Sequence, residues 1–317
     1  MQLHQRLLPV TVFALCTLIV AVSNGGNDSN VRAALPRSDE QELCDRTDME
    51  GFEGREVQIH SELQAIPPHP WAGHYYFGDG LGTNIYVALA PAAGLVYTWR
   101  GCLGLYEFDH GTVVETGTNR IRVQFQDKRT PGLFSGKSWE LVVVPWGDRR
   151  YLIPVEKMVD FVNAVNLGRE PRSDAHGLFL LRRDDETKKV SGKPKLPKKF
   201  AQFILQRPVD PKITAVGETV VEEGSSELLR QVMVKATIDR GKSHGLFPGM
   251  ELAIVSEPPL LFLGLEGRVV SVGEKTAVVS LTHLLLTQGE AFEPCVGWRL
   301  STRNAFFSQL RGSLEKQ

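Results

Sequence analysis

The chain of 317 residues is short of the features that most directly fix a chemistry. It has four cysteines, Cys16, Cys44, Cys102 and Cys295, and no CxxC pair, which removes the zinc and redox motifs built on that spacing. Its eight histidines are scattered and no HExxH occurs; His69, His74 and His110 could converge only through the fold, so no metal site is assigned. No residue is assigned as catalytic. The net charge of −1 gives no basic field, so no nucleic-acid partner is expected. Beyond one N-terminal apolar run there is no second long hydrophobic stretch, and no transmembrane segment is expected once that run is removed.

That run is the first positive signal. Arg6 precedes an apolar segment from Leu7 to Val22, and Ala21-Val22-Ser23 resembles a small-residue cleavage site. Residues 1–23 read as a signal peptide, with an uncleaved anchor helix as the alternative. The expectation is an exported protein, periplasmic or extracellular. Three cysteines then remain. Cys44 and Cys102 are the disulfide candidates, because a bridge would tie the N-terminal segment to the aromatic-rich core; three buried small hydrophobes are the alternative.

Residues 24–60 are polar and acidic and read as a leader, with a short helix over 57–66 ended by Pro67, Pro68 and Pro70. From Trp71 to Tyr106 the chain is dense in strand residues, turn glycines and aromatics. Ile85, Val87 and Leu89 alternate with Asn84, Tyr86 and Ala88, and Leu95, Tyr97 and Trp99 repeat the pattern after a turn at Pro91–Gly94. Asp109-His110-Gly111 reads as a further turn. Ile121, Val123 and Phe125 form a one-sided strand, and Trp139, Leu141 and Val143 begin another. A helix over 154–167 follows, with Pro154 in its first turn and Gly168 at its end. Residues 61–206 are therefore read as one β-rich domain with a covering helix. Its segment 182–199 is rich in lysine and arginine but has no interleaved aromatics, and reads as a solvated loop rather than a polyanion patch. Residues 207–305 are read as a second domain. There Val232, Val234, Ala236 and Ile238 alternate, a turn falls at Pro248-Gly249, and a hairpin turns about Gly273-Glu274. Residues 306–317 read as a tail. The expected fold class is mainly β: an antiparallel meander or partial barrel with one covering helix, then a small β-barrel.

Constellations that could carry chemistry are few. PGLFSGKS (131–138) continues into WELVVV, a strand rather than the helix a phosphate loop needs. GDGLG (78–82) lies between strands and reads as a hairpin connection. Cys102 and His110 could pair across a hairpin, though a disulfide or a buried thiol is the plainer reading. Glu107 and Asp109 share one side of a strand, as surface pairs commonly do. Tyr75, Tyr86, Tyr97, Trp99 and Tyr106 are the candidate lining for an apolar or sugar ligand, against the alternative that they are simply core. No cofactor is implied.

Two resemblances add to this. VKATIDRGKSHGLFPGMELAIV followed by LEGRVVSVGEKTAVVSL, within Val232–Leu281, resembles the small β-barrel cassette of bacterial cell-shape proteins of the MreC kind, without the long coiled coil those proteins carry upstream. The Trp71–Tyr106 stretch, with YLIP and EPR beyond it, looks like an uncharacterised family of secreted bacterial proteins, and its Gly-x-Tyr opening is loosely similar to lipocalin-type barrels. These imply a calycin-like first domain and a small second barrel, and supply no functional residues. The functional expectation is an exported, non-enzymatic envelope protein acting as an interaction or scaffolding module, with envelope proteins as partners. The apolar segments Pro258–Leu265 and Leu284–Leu286 are contact candidates. The alternatives are binding of a small apolar ligand in the first barrel, and a hydrolase with an unrecognised site around His74, Asp79 or His110.

Overall fold

The computed structural model describes residues 39–78, 82–126, 138–169, 171, 178–223, 230–255, 266–285 and 292–303. The protein is mainly β. Eight antiparallel strands close into a barrel in sequence order. They are β1 (Gly73–Phe77), β2 (Asn84–Ala90), β3 (Gly94–Gly101), β4 (Gly104–Gly117), β5 (Arg120–Phe125), β6 (Ser138–Trp146), β7 (Arg149–Pro154) and β8 (Leu180–Arg182). Closure comes from β8, which pairs with β7 through Leu181 and Tyr151 and with β1 through Leu181 and Tyr76.

The period-two alternation decides what faces inward. Ile85, Val87, Leu89, Leu95 and Tyr97 join Tyr75, Phe77, Ile121, Val123, Phe125, Leu141 and Val143 in one buried cluster inside the barrel. Eight strands leave an interior just wide enough for side chains to fill. One end is closed by Trp71 and Ala72, whose amides both donate to His69 Nδ1 (3.5 and 3.2 Å). The Tyr75 hydroxyl donates to the Trp71 carbonyl at 2.8 Å.

β4 departs from the sequence reading. Asp109-His110-Gly111 is not a turn; β4 runs unbroken for 14 residues. Gly111 has no left-handed backbone. It is glycine because a Cβ there would lie 1.9 Å from the Gln124 carbonyl oxygen on β5. The residue permits a close strand approach and does not reverse the chain.

Among the described residues two helices of ten residues or more pack on the outside of the barrel. α1 (Asp39–Ala65) starts well before the short helix read at 57–66 and takes in much of the stretch read as a leader. It lies across β2, β3 and β4, with Phe52 and Ile59 buried on Ala88, Ala90 and Val96. Full burial of a side chain such as Ile59 stabilises by about 2 kcal/mol. Its register is fixed by polar clamps on the β2–β3 turn. Glu62 accepts from the amides of Ala92 (2.8 Å) and Ala93 (2.6 Å), and Arg55 donates to the Ala93 carbonyl (2.8 Å). α2 (Met158–Leu167) follows a single 3-10 turn (Val155–Lys157) and ends at Gly168 in the left-handed region.

The second sheet has six strands in the order β14-β11-β12-β13-β10-β9. They are β9 (Ile213–Glu223), β10 (Arg230–Ile238), β11 (Glu251–Ile254), β12 (Glu266–Val272), β13 (Ala277–Leu285) and β14 (Leu300–Ser301). The alternating Val232, Val234, Ala236 and Ile238 are all buried. β9 has no counterpart in the sequence reading, and only at Ile213 and the residues before it does it meet the chain around β14. There Ile213 N–H donates to the Trp298 carbonyl, and Leu300 N–H to that of Pro211 (both 2.9 Å).

α2 is the joint between the sheets. Met158, Phe161 and Val162 belong to one core with Val142, Val144 and Tyr151 of the barrel and with Val234, Leu252 and Leu281 of the second sheet. Asn163, 1% exposed, donates to the Gly249 carbonyl (2.9 Å) and accepts from the Glu251 amide (3.2 Å). Arg169 pairs with Glu251 at 2.8 Å. Gly249, at φ +87°, brings the turn so close that a Cβ would sit 3.3 Å from Val159. Among the described residues no helix is long and apolar enough to cross a membrane.

Candidate functional site

The five aromatic candidates do not share one surface. Tyr75 and Tyr97 point into the barrel and are fully buried. Trp99 points the same way but is partly exposed. Tyr86 lies on the outer face, where its hydroxyl meets His74 Nδ1 at 2.7 Å. Tyr106 is exposed near the β3–β4 hairpin, its ring 5.3 Å from that of Trp99 and its hydroxyl accepting from the Leu103 amide at 3.2 Å. Inside the barrel the rings touch one another. Tyr97 meets Phe125 edge-on at 5.8 Å, and Phe125 meets Trp139 at 5.7 Å. That is how aromatic side chains fill a core.

Glu107 and Asp109 are not surface residues. They pair across the strands with Trp99 and Tyr97, so they turn inward, and they are only 9% and 4% exposed. Burial, with Glu107 adding to it, holds the Tyr97 hydroxyl far above the usual phenol range, so it stays protonated. Asp109 accepts from the His110 amide at 2.6 Å. The polar set sits at the barrel end from which the β1–β2, β3–β4 and β5–β6 connections leave. The sequence showed that the two carboxylates share a side, and the register shows which side it is.

The remaining candidates are dispersed. His69 holds two amides, His74 faces Tyr86, and His110 lies beneath Gly51 of α1. Among the described residues no three His, Cys, Asp or Glu side chains gather as a metal site requires. Cys102 is exposed at the β3–β4 turn, and the side chain of Cys44 lies outside the described residues. So do Asp79, most of the PGLFSGKS segment, Pro258–Leu265 and the side chains of Leu284–Leu286. The basic segment folds back onto the β6–β7 turn. Lys188 and Lys189 stand beside Arg149 and Arg150 around a shallow hollow of about 610 Å³. Buried Asp185 takes Lys188 at 2.6 Å and the Arg150 amide at 3.0 Å, so this segment's charges serve in part to fix its own path.

The least satisfied surface is on the second sheet. β9 ends the strand order, and Thr214 to Glu222 are all exposed. Its register with β10 places Val216 and Val221 opposite Ala236 and Val232. Those β10 partners are 1% and 6% exposed, whereas Val216 and Val221 are 40% and 45% exposed. The apolar face of the sheet thus continues onto β9, its last strand, and is exposed there. Among the described residues no strand pairs with the outer edge of β9 beyond Ile213. At about 3.3 Å per residue, its 11 residues span about 36 Å. Glu218 and Glu222 give this edge negative charge, and one cation, Lys235, stands 3.8 Å from Glu218.

In comparisons with protein-family models, curated proteins and solved structures, the chain matches none.

Proposed function

We propose that this is an exported, non-enzymatic envelope protein that works as an interaction or scaffolding module, with β9 as its docking edge. The observation that carries this reading is the bare edge itself, with Val216 and Val221 exposed where the face behind them is buried. An unpaired edge offers a row of backbone donors and acceptors that an extended segment can complete, and exposed alternate side chains select it. The carboxylates of Glu218 and Glu222 favour a partner strand that carries lysine or arginine. Export rests on Arg6, the Leu7–Val22 run and the Ala21-Val22-Ser23 site.

In this reading the first sheet is a calycin-like scaffold and the second is a small barrel of the cell-shape cassette kind, its edges drawn together where Val209–Ile213 meets Trp298–Thr302. The non-enzymatic reading is supported by His69, which holds two amides, and by His110, which lies beneath α1. The contacting rings inside the first barrel favour a filled scaffold over an apolar-ligand chamber.

The test is capture of basic extended peptides by the full chain. Binding of a Lys-containing β-forming peptide should vanish in Val216→Asp/Val221→Asp and persist in Val114→Asp, an exposed control on the barrel. Equal binding by all three proteins would contradict the proposal.

A further inference from the structure

The groove between α1 and the outside of the barrel holds charges that the fold does not use. Arg100 leaves the end of β3, Arg183 opens the turn after β8, and Glu56 stands on α1. Three separate elements bring them to one cavity of about 240 Å³, walled by the rings of Phe52, Tyr76 and Tyr86. Neighbouring α1 residues behave differently, since Arg55 and Glu62 are both committed to the β2–β3 turn. Among the described residues neither guanidinium has a carboxylate or carbonyl partner, and Glu56 has no cation. The walls are nonetheless organised. The Tyr76 hydroxyl donates to Asn84 Oδ1 at 2.5 Å, and Tyr86 is held by His74. Burial holds the Tyr86 hydroxyl above the usual phenol range, with Glu56 adding to the rise and Arg183 opposing it, so both charges act on the same ring.

We propose that this groove binds a free acidic amino acid. Two guanidiniums and one carboxylate match a ligand with two carboxylates and one ammonium, in number and in sign. Arginine takes a carboxylate through paired N–H donors, and an ammonium is favoured by Glu56 together with the faces of the tyrosines. The cavity of about 240 Å³ is smaller than the ~300–1,000 Å³ of drug-sized sites, which restricts the ligand to a small molecule. The site is separate from the β9 edge and does not depend on that edge having a partner.

The experiment is calorimetric titration of the full chain with L-glutamate, L-aspartate, L-glutamine and glutarate. One of the two acidic amino acids binds, while glutamine (one carboxylate fewer) and glutarate (no ammonium) are each weaker by at least about tenfold. Arg183→Ala and Arg100→Ala each weaken the acidic amino acid by about tenfold or more. Glu56→Gln removes the preference for glutamate over glutarate. All three positions are at the surface or only half-buried, so the variants keep the fold, which an unchanged melting temperature verifies. Absence of binding by both acidic amino acids up to about 10 mM overturns the proposal, as does glutarate binding as tightly as glutamate to the unaltered chain.

Discussion

The two sheets solve the same problem in opposite ways. A sheet must pair its edges or expose them. The first closes on itself through β8, and its inward side chains, from Ile85 to Val143, face one another. Among the described residues the second ends in β9, whose outer edge has no paired strand beyond Ile213 and whose Val216 and Val221 are exposed. Closure removes an edge altogether, whereas an open edge is retained at a risk of aggregation that a protein ordinarily blunts. β9 is only partly blunted, by Glu218 and Glu222. In the proposed function the closed sheet is the support and the open one the surface, with α2 packed between the two.

The sharpest way to break that arrangement is at the joint. Phe161 is fully buried among barrel, helix and second-sheet residues, so Phe161→Ala should cost about 3–5 kcal/mol. Because the core is shared, tryptophan fluorescence and far-ultraviolet dichroism should report one common denaturant transition, shifted as a whole; two separated transitions would show that the sheets are independent. Asn163→Ala is the milder version. It removes the side-chain bonds to the Gly249 carbonyl and the Glu251 amide at the joint, and about 2 kcal/mol of stability should be lost in a urea titration.

A third effect is smaller and depends on pH. Burial lowers the His74 pKa below 6.5, with His60 and Arg183 adding to the fall and Asp184 and Glu56 opposing it. The unfolded chain then takes up a proton more readily than the folded one. Stability from this group is therefore fully present above pH 6.5 and falls as the pH drops through the lowered value. His74→Gln should flatten that part of the melting-temperature profile. The smallest expected change in stability is at β9 itself. Val221→Asp should stay within about 0.5 kcal/mol of the parent in thermal melts while peptide capture is lost, which separates a docking surface from a structural one.

How much of this could be read in the sequence follows from how local each signal is. The alternation of Ile85, Val87 and Leu89 reports a half-buried strand because the pattern is completed within a few residues. Gly111 misleads for the same reason. Locally it is a glycine after Asp-His and reads as a turn, while its cause is the Gln124 backbone on another strand. β9 escapes detection because Gly217 and its glutamates dilute a strand that has little apolar burial to give it a period. α1 reads as a leader over its first half because few of its residues are apolar, with Phe52 and Ile59 doing most of its packing. Glu56, Arg100 and Arg183 lie far apart in the chain, and only barrel closure and the seating of α1 bring them into one groove.

The most direct test of the central claim is site-specific photo-crosslinking in the native host, with the probe placed at Val221 on β9 or at Val114 on the barrel. A discrete crosslinked partner is expected from Val221, mapped to an extended lysine- or arginine-bearing segment, and none from Val114. Crosslinks of equal yield from both positions, or from Val114 alone, would contradict the assignment of β9 as the docking edge.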